Sequence, residues 1–360
     1  MHIFKWVLFA ALVAALAMPF TRAVVAADFA EVLDTPAMQS PLAVQGILTG
    51  LAQAGERLVT VGQRGHILYS DDAGKQWRQA QVPVSSDLVA VHFPTPKLGW
   101  AVGHDGVVLH SRDAGETWNR QLDGRHVGAV MLQHYQKLLA IRPDDSTFAA
   151  LVEESQRMSE QGADKPFLDV WFESERVGYI VGAFNLIFRT DDGGRNWTPL
   201  LEQLDNPGML HLYAIRPIGA ELYIVGEQGL VLKLDQISQR FTAVPTPYNG
   251  TYFGITGKDG VVLVFGLRGN VYRSTDAGQN WSKVEIAVPL SVTAGTVTRD
   301  GWIVLLSQAG HVLVSRDDGA TFHLSQRPQL SPVSAVVMTG QGHESLVLAG
   351  VRGVRVLPVE

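Results

Sequence analysis

Short apolar runs separated by glycine-containing turns recur along the chain. In one stretch LVAVHF (88–93) is followed by GWAVG (99–103), a tight turn, VVLHS (107–111), the phrase SRDAGETW (111–118) and a short final run. Runs of this length bounded by turn residues read as strands. The turn phrase returns as SDDAGKQW (70–77), TDDGGRNW (190–197), STDAGQNW (274–281) and SRDDGATF (315–322), giving five copies of Ser/Thr-x-Asp-x-Gly-x-x-Trp/Phe. A second phrase is more frequent: VGQRGHIL from Val61, VGHDGVVL from Val102, VGAFNLIF from Val181, VGEQGLVL from Val225, FGLRGNVY from Phe265, LSQAGHVL from Leu306 and AGVRGVRV from Ala349. Counted from the second residue of each, the steps are 41, 79, 44, 40, 41 and 43, so a period near 40 is broken once. Seven copies of a four-stranded unit at this period predict an all-β fold, a seven-bladed β-propeller with four-stranded antiparallel blades.

The long step hides an insertion between blades 2 and 3. Val127, Val130, Met131, His134, Leu138 and Ile141 fall three and four apart, as do Phe148, Leu151, Val152 and Ser155. That spacing predicts a helical hairpin over about 125–164, with RPDDS as its turn and Ser146 or Thr147 capping the second helix. The last repeat supplies VSAVVM (333–338), SLVLAG (345–350) and VRVLP (354–358) but no fourth strand. An unpaired blade edge invites aggregation, so an N-terminal strand, FAEVL (Phe29–Leu33), is expected to close the last blade.

The first 27 residues have one early Lys, an apolar run from Trp6 to Met18 and small residues around Val24–Ala27. They read as a signal peptide cleaved after Ala26 or Ala27, leaving residues 28–360 as the propeller; the alternative is an uncleaved membrane anchor. Export places the protein in the periplasm or an equivalent lumen, soluble after cleavage. With no cysteine among the 360 residues, a disulfide framework, thiol catalysis and a lipid-modified Cys are excluded. Without Lys5 and Arg22 the chain holds 27 basic and 35 acidic residues, a net charge of −8 that argues against nucleic-acid binding.

In the turn phrase, Ser and Asp oxygens can accept bonds from the turn's own N–H groups, Gly115 can take a positive φ, and Trp118 packs beneath. Asp72, Asp113, Asp192, Asp276 and Asp317 are therefore expected to be structural, because single aspartates in separate blades cannot converge on one metal or substrate. This phrase resembles the bacterial-neuraminidase repeat, or Asp box. Paired with the preceding VGxxG phrases round one seven-bladed ring behind an export signal, it resembles the photosystem II stability and assembly factor family over roughly residues 46–358. The resemblance implies a propeller acting on a protein partner at the non-cytoplasmic side of a membrane, with a basic patch used in recognition.

Three GxxG turns offer arginines for such a patch, Arg64, Arg268 and Arg352. By analogy with other propellers, these turns and the hairpin share one end and the Asp boxes lie at the other. The hairpin is expected to lean over or project from the GxxG end, with Tyr135 among its apolar contacts. Asp169, within the apolar run FLDVWF, either lines the central channel or serves backbone N–H groups. There is no HExxH, phosphate loop or metal-spaced His cluster, so no catalytic, metal or cofactor residue is assigned. The leading function is a non-catalytic, monomeric exported propeller that binds a membrane protein or complex and assists its assembly, stability or operation. The rival is a sialidase-like glycoside hydrolase or carbohydrate-binding propeller, in which the three arginines would hold a sugar carboxylate.

Overall fold

The structure, a computed structural model, describes residues 30–326, 329–339 and 345–358. The architecture below is that of the unit Val32–Glu360, and the expected signal peptide lies outside the described residues. Blade 1 is β1 (Leu48–Ala54), β2 (Arg57–Gly62), β3 (Ile67–Ser70) and β4 (Arg78–Gln79); blade 2 is β5 (Leu88–His92), β6 (Gly99–Gly103), β7 (Val108–Ser111) and β8 (Asn119–Leu122). After helices α1 (Gly124–Ile141) and α2 (Ser146–Gln161) comes blade 3, with β9 (Phe167–Phe172), β10 (Gly178–Gly182), β11 (Ile187–Thr190) and β12 (Thr198–Pro199). Blade 4 is β13 (Leu212–Ile218), β14 (Glu221–Gly226), β15 (Val231–Asp235) and β16 (Arg240–Ala243); blade 5 is β17 (Tyr252–Lys258), β18 (Val261–Gly266), β19 (Val271–Ser274) and β20 (Ser282–Val284). Blade 6 is β21 (Val292–Val297), β22 (Ile303–Ser307), β23 (Val312–Ser315) and β24 (His323–Leu324), and blade 7 is β25 (Val333–Thr339), β26 (Ser345–Gly350) and β27 (Gly353–Pro358). The seven antiparallel sheets follow chain order outward from each first strand, so the GxxG turns and the blade-to-blade connections share one end while the Asp boxes occupy the other.

Among the described residues the last sheet has three strands, and the expected N-terminal closing strand is corrected. Phe29 lies outside the described residues, and the chain from Val32 runs beside blade 1 instead: Ser85 N donates to Val32 O at 2.8 Å and Ala37 N to Val82 O at 3.0 Å. Leu33 and Ala37 are buried there in an apolar cluster with Val82, Val84 and Trp118, and taking these side chains out of water favours this position. The ring closes by packing, since β1 lies against β25 and β26. At Gly353 (φ 76°) a Cβ would sit 1.9 Å from Val44 O, on the segment entering blade 1. Gly65, the equivalent in blade 1, would meet Val84 O at 2.1 Å, which is why the second glycine of the turn leaves no room for a side chain in these two blades, whereas blade 3 holds Asn185 there (φ 62°).

Each Asp box closes on itself. In blade 2, Asp113 Oδ1 accepts from Ser111 Oγ at 2.8 Å and from Thr117 N at 2.9 Å, Gly115 N donates to Ser111 Oγ at 2.9 Å, and Trp118 Nε1 donates to Gly115 O at 3.0 Å. The equivalent carboxylates of Asp72, Asp192, Asp276 and Asp317 accept from the equivalent hydroxyls and N–H groups. Side-chain and backbone bonds from Asn280 and Thr321 hold the carboxyls of Asp276 and Asp317 at about 2. Two consecutive residues, Ala114 (φ 60°) and Gly115 (φ 90°), are left-handed, one more than the single glycine that the sequence suggests.

Helix α1 is capped by Asp123. Helix α2 is capped by Asp145, which accepts from Thr147 N at 3.0 Å and Phe148 N at 3.4 Å, so the cap precedes the expected Ser146 or Thr147. A carboxylate there also meets the positive end of the helix dipole.

Candidate partner-binding face

Every first strand carries a register shift at its second residue. The bulge frees that residue from the ladder and re-aims it. Thr49, Val89, Leu168, Tyr213, Phe253, Thr293 and Ser334 consequently line an axial cavity of about 620 Å3, near the mouth at the GxxG end where these strands begin. Two of the hydroxyls also join blades, with Thr49 Oγ1 bonding Leu88 O at 2.6 Å and Thr293 Oγ1 bonding Val333 O at 2.8 Å. Only blades 4 and 5 place aromatics in this ring, and they continue a row of rings outward. Phe253 meets Tyr213 edge-on at 5.8 Å, Tyr213 lies 6.3 Å from His211, and His211 lies 4.6 Å from Phe184. Phe184 is 50 % exposed on its turn, and Glu227 fixes His211 by accepting from its backbone N at 2.9 Å and sitting 2.7 Å from its Nδ1.

Arg64, Arg268 and Arg352 are exposed at this same end, on the blade 1, 5 and 7 turns. Arg64 and Arg268 sit at the left-handed turn position, where their backbone N–H groups donate to Asp87 and Ser291. Their guanidinium groups, like that of Arg352, have no hydrogen bond or ion pair among the described residues. Exposed Ile47, Phe184, Met209, Leu267 and Val351 lie on turns and connections of the same end, so cations alternate with apolar side chains.

Tyr135 does not belong to that surface, which corrects the expectation. It is 0 % exposed, its hydroxyl donating to Glu202 Oε2 at 3.0 Å and accepting from Leu201 N at 3.1 Å. The apolar stripes of α1 and α2 (Val127, Met131, Tyr135, Phe148, Leu151 and Met158) pack into one core with Phe167, Phe188 and Trp197. The hairpin packs against the last strand of blade 3 and against the blade 2 GxxG turn at His104–Gly106, so it sits beside the GxxG end with its apolar stripes turned inward. Its apolar face is as wide as a core-facing helix needs, and a neighbouring blade supplied the cover.

Deeper in the channel, Asp169 fulfils both sequence readings. It lines the cavity and accepts from Ile215 N at 2.8 Å, Val170 N at 2.9 Å and the Arg216 guanidinium. Burial pushes its pKa up despite Arg216 and those N–H groups. His92 and Arg216, which sequence reasoning missed, complete the cluster. His92 Nδ1 accepts from Phe172 N at 3.1 Å, which leaves the ring proton on Nε2, and burial together with the Arg216 charge lowers its pKa to about 3. Their only sequence signal was a polar residue inside an inner-strand pattern.

A sialidase-type site needs a second carboxylate and an activated tyrosine. Among the described residues Asp169 is the one carboxylate lining the channel, and Tyr213 is pushed up by burial and by Glu227, the reverse of activation. Among the described residues no group of three His, Asp or Glu could hold a metal ion, and no helix is long and apolar enough to cross a membrane.

The sequence matches the family described as "Photosynthesis system II assembly factor YCF48" over residues 43–134 and 150–329. The "Photosystem II assembly lipoprotein Ycf48" of Synechococcus sp. (strain CC9902) is 27 % identical over 188 residues, 51 % of this chain, and the match spans only 56 % of that relative's length. Among solved structures, one described as "YCF48 bound to D1 peptide" superposes with a TM-score of 0.63 at 15 % identity, covering 90 % of this chain and 96 % of that one. YCF48 from Cyanidioschyzon merolae gives 0.61 at 14 %, covering 90 % and 98 %, and the WD40 propeller of Doa1 gives 0.61 at 9 %, covering 91 % and 97 %. At these identities the structural likeness shows the propeller fold alone.

Proposed function

The chain belongs to the photosynthesis system II assembly factor YCF48 family, and on that premise we propose that it is a non-catalytic propeller that binds a protein partner and assists assembly or upkeep of a membrane complex. The observation that supports this reading most is the GxxG end, where three guanidinium groups without internal partners stand among exposed apolar residues beside an aromatic-lined channel mouth. Arginine forks suit carboxylates of a partner, and the rings suit its apolar side chains. A solved family structure carries a peptide, which makes peptide recognition by this scaffold a reasonable expectation here. We assign this activity to the non-cytoplasmic side, on the export signal read over residues 1–27, and to a monomeric protein. The Synechococcus relative is a lipoprotein, whereas these 360 residues contain no cysteine to carry such a lipid, so membrane association is assigned to the partner.

The test is capture from a membrane extract by the parent protein and by the Arg64→Ala/Arg268→Ala/Arg352→Ala variant. Exposed turn side chains carry no more than about 0.5 kcal/mol of stability each, so the variant should melt with the parent while losing its partner. Equal capture by both proteins would move the interface away from this end. Turnover of any member of a chromogenic glycoside panel would favour the hydrolase reading.

A further inference from the structure

At the Asp-box end the seams between neighbouring blades can be compared residue by residue, because the repeat places equivalent positions 41 residues apart from blade 1 to blade 2 and 79 apart from blade 2 to blade 3. The seam between blades 1 and 2 is internally satisfied. Arg57 lies over the Tyr69 ring at 4.4 Å, with Nε and Nη2 on Asp71 at 2.6 and 3.0 Å and Nη1 on Glu116 at 3.0 Å. The equivalent positions at the seam between blades 2 and 3 are Leu98 for Arg57, His110 for Tyr69, Arg112 for Asp71 and Arg195 for Glu116. The charges are inverted, and the central ion is missing.

These four residues line a cavity of about 480 Å3 together with Trp100 and Arg176, and with Glu175 and Asp192 as its carboxylates. Asp192 is occupied, accepting from Thr190, from Asn196 N and from Asn196 Nδ2 at 2.7 to 2.9 Å. Arg176 Nε is held on Asp191 O at 3.3 Å. Arg112 and Arg195 are exposed, and among the described residues neither guanidinium has a hydrogen bond or ion pair. The floor is rigid: His110, 7 % exposed, stacks on Trp100 at 4.5 Å, which stacks on Phe172 at 3.6 Å. Glu175 is exposed on the same cleft and, among the described residues, pairs with neither guanidinium; the two unpaired like charges repel each other, and a planar anion between them would reverse that interaction.

We propose that the cleft between blades 2 and 3 at the Asp-box end is a binding site for a carboxylate group, held between Arg112 and Arg195 above the His110 ring. In the neighbouring seam two carboxylates grip one planar guanidinium, and here two guanidinium groups await one planar carboxylate. The site lies at the opposite end from the proposed partner face and is independent of that reading.

Calorimetric titration of the full chain at low salt, with succinate in one arm and a blocked triglutamate peptide in the other, tests it. Binding is expected in at least one arm, weakened about tenfold for each guanidinium removed in Arg112→Ala and Arg195→Ala, and suppressed by added salt. Binding of succinate identifies a free dicarboxylate as the ligand class, and binding of the peptide alone identifies an acidic protein segment. As a second variant, Leu98→Arg/Arg112→Asp/Arg195→Glu rebuilds the blade 1–2 seam and should abolish binding while raising the melting temperature. No binding in either arm, or equal binding by the parent and the double alanine variant, overturns the proposal.

Discussion

Replacing Tyr135 by Phe separates the two roles that a tyrosine on an inserted helix can have. Burial pushes the phenol far above its ordinary range, so the hydroxyl stays protonated and donates to Glu202 while accepting from Leu201 N. Tyr135→Phe keeps the ring and removes both bonds. Leu201 is 4 % exposed, so its N–H loses its acceptor where water cannot replace it, a cost of about 1–3 kcal/mol. Glu202 is half-buried and regains water, adding little; the total comes to about 2 kcal/mol. Tyr135→Ala adds the cavity and should reach about 3–5 kcal/mol. The assay is the urea midpoint at constant m, with Glu202→Ala completing a double-mutant cycle that isolates the hydroxyl–carboxylate part. A Tyr135→Phe protein with the parental midpoint would refute the packing argument. One that lost partner capture at parental stability would return Tyr135 to the interface.

Asp113→Ala should destabilise by about 0.5–2 kcal/mol, as for a lost capping residue, without affecting partner capture; loss of capture at an unchanged urea midpoint would contradict a structural Asp box. The five depressed carboxyls contribute stability that is fully present above their ordinary value near 3.8 and is lost as pH falls below it, for Asp276 and Asp317 toward about 2. Acid unfolding followed by circular dichroism should therefore begin within this window, and a transition confined to higher pH would assign it to other groups. Arg216→Ala leaves the buried Asp169 carboxylate on backbone N–H groups alone and should cost about 3 kcal/mol at neutral pH. Because the Asp169 pKa is raised, the loss should ease as pH falls and the carboxyl takes up its proton, and a pH-independent loss would show that the pair is not the cause.

What was legible in the sequence is what forms over short chain distances. The Asp box is made by bonds from residue 1 to residue 3 and from residue 3 to residue 7 of one phrase, so the phrase names its own geometry. The GxxG turns, the strand order within a blade and the period near 40 are local in the same sense, and repetition multiplies the signal. The three arginines were placed correctly at one end because antiparallel order alternates ends without reference to any distant residue. Tertiary structure decided whatever depends on two segments finding each other across a blade or more. Tyr135 carries the same helical spacing whether its stripe faces a partner or Leu201, and only the flank of blade 3 made it core. The N-terminal segment was expected at the last blade, and burial of Leu33 and Ala37 beside Val82 set it between blades 1 and 2 instead. Asp169 and Arg216 are 47 residues apart, and Asp71 and Glu116 meet across Arg57 only because the ring sets blade 2 against blade 1. The seam at Leu98, Arg112 and Arg195 carries the same turn phrases as its neighbour, and only the ring shows that its two guanidinium groups face a cleft whose carboxylates, Glu175 and Asp192, pair with neither of them among the described residues. Periodicity specifies each blade through contacts a few residues long, whereas the charge balance between blades is set by side chains that only ring closure brings together.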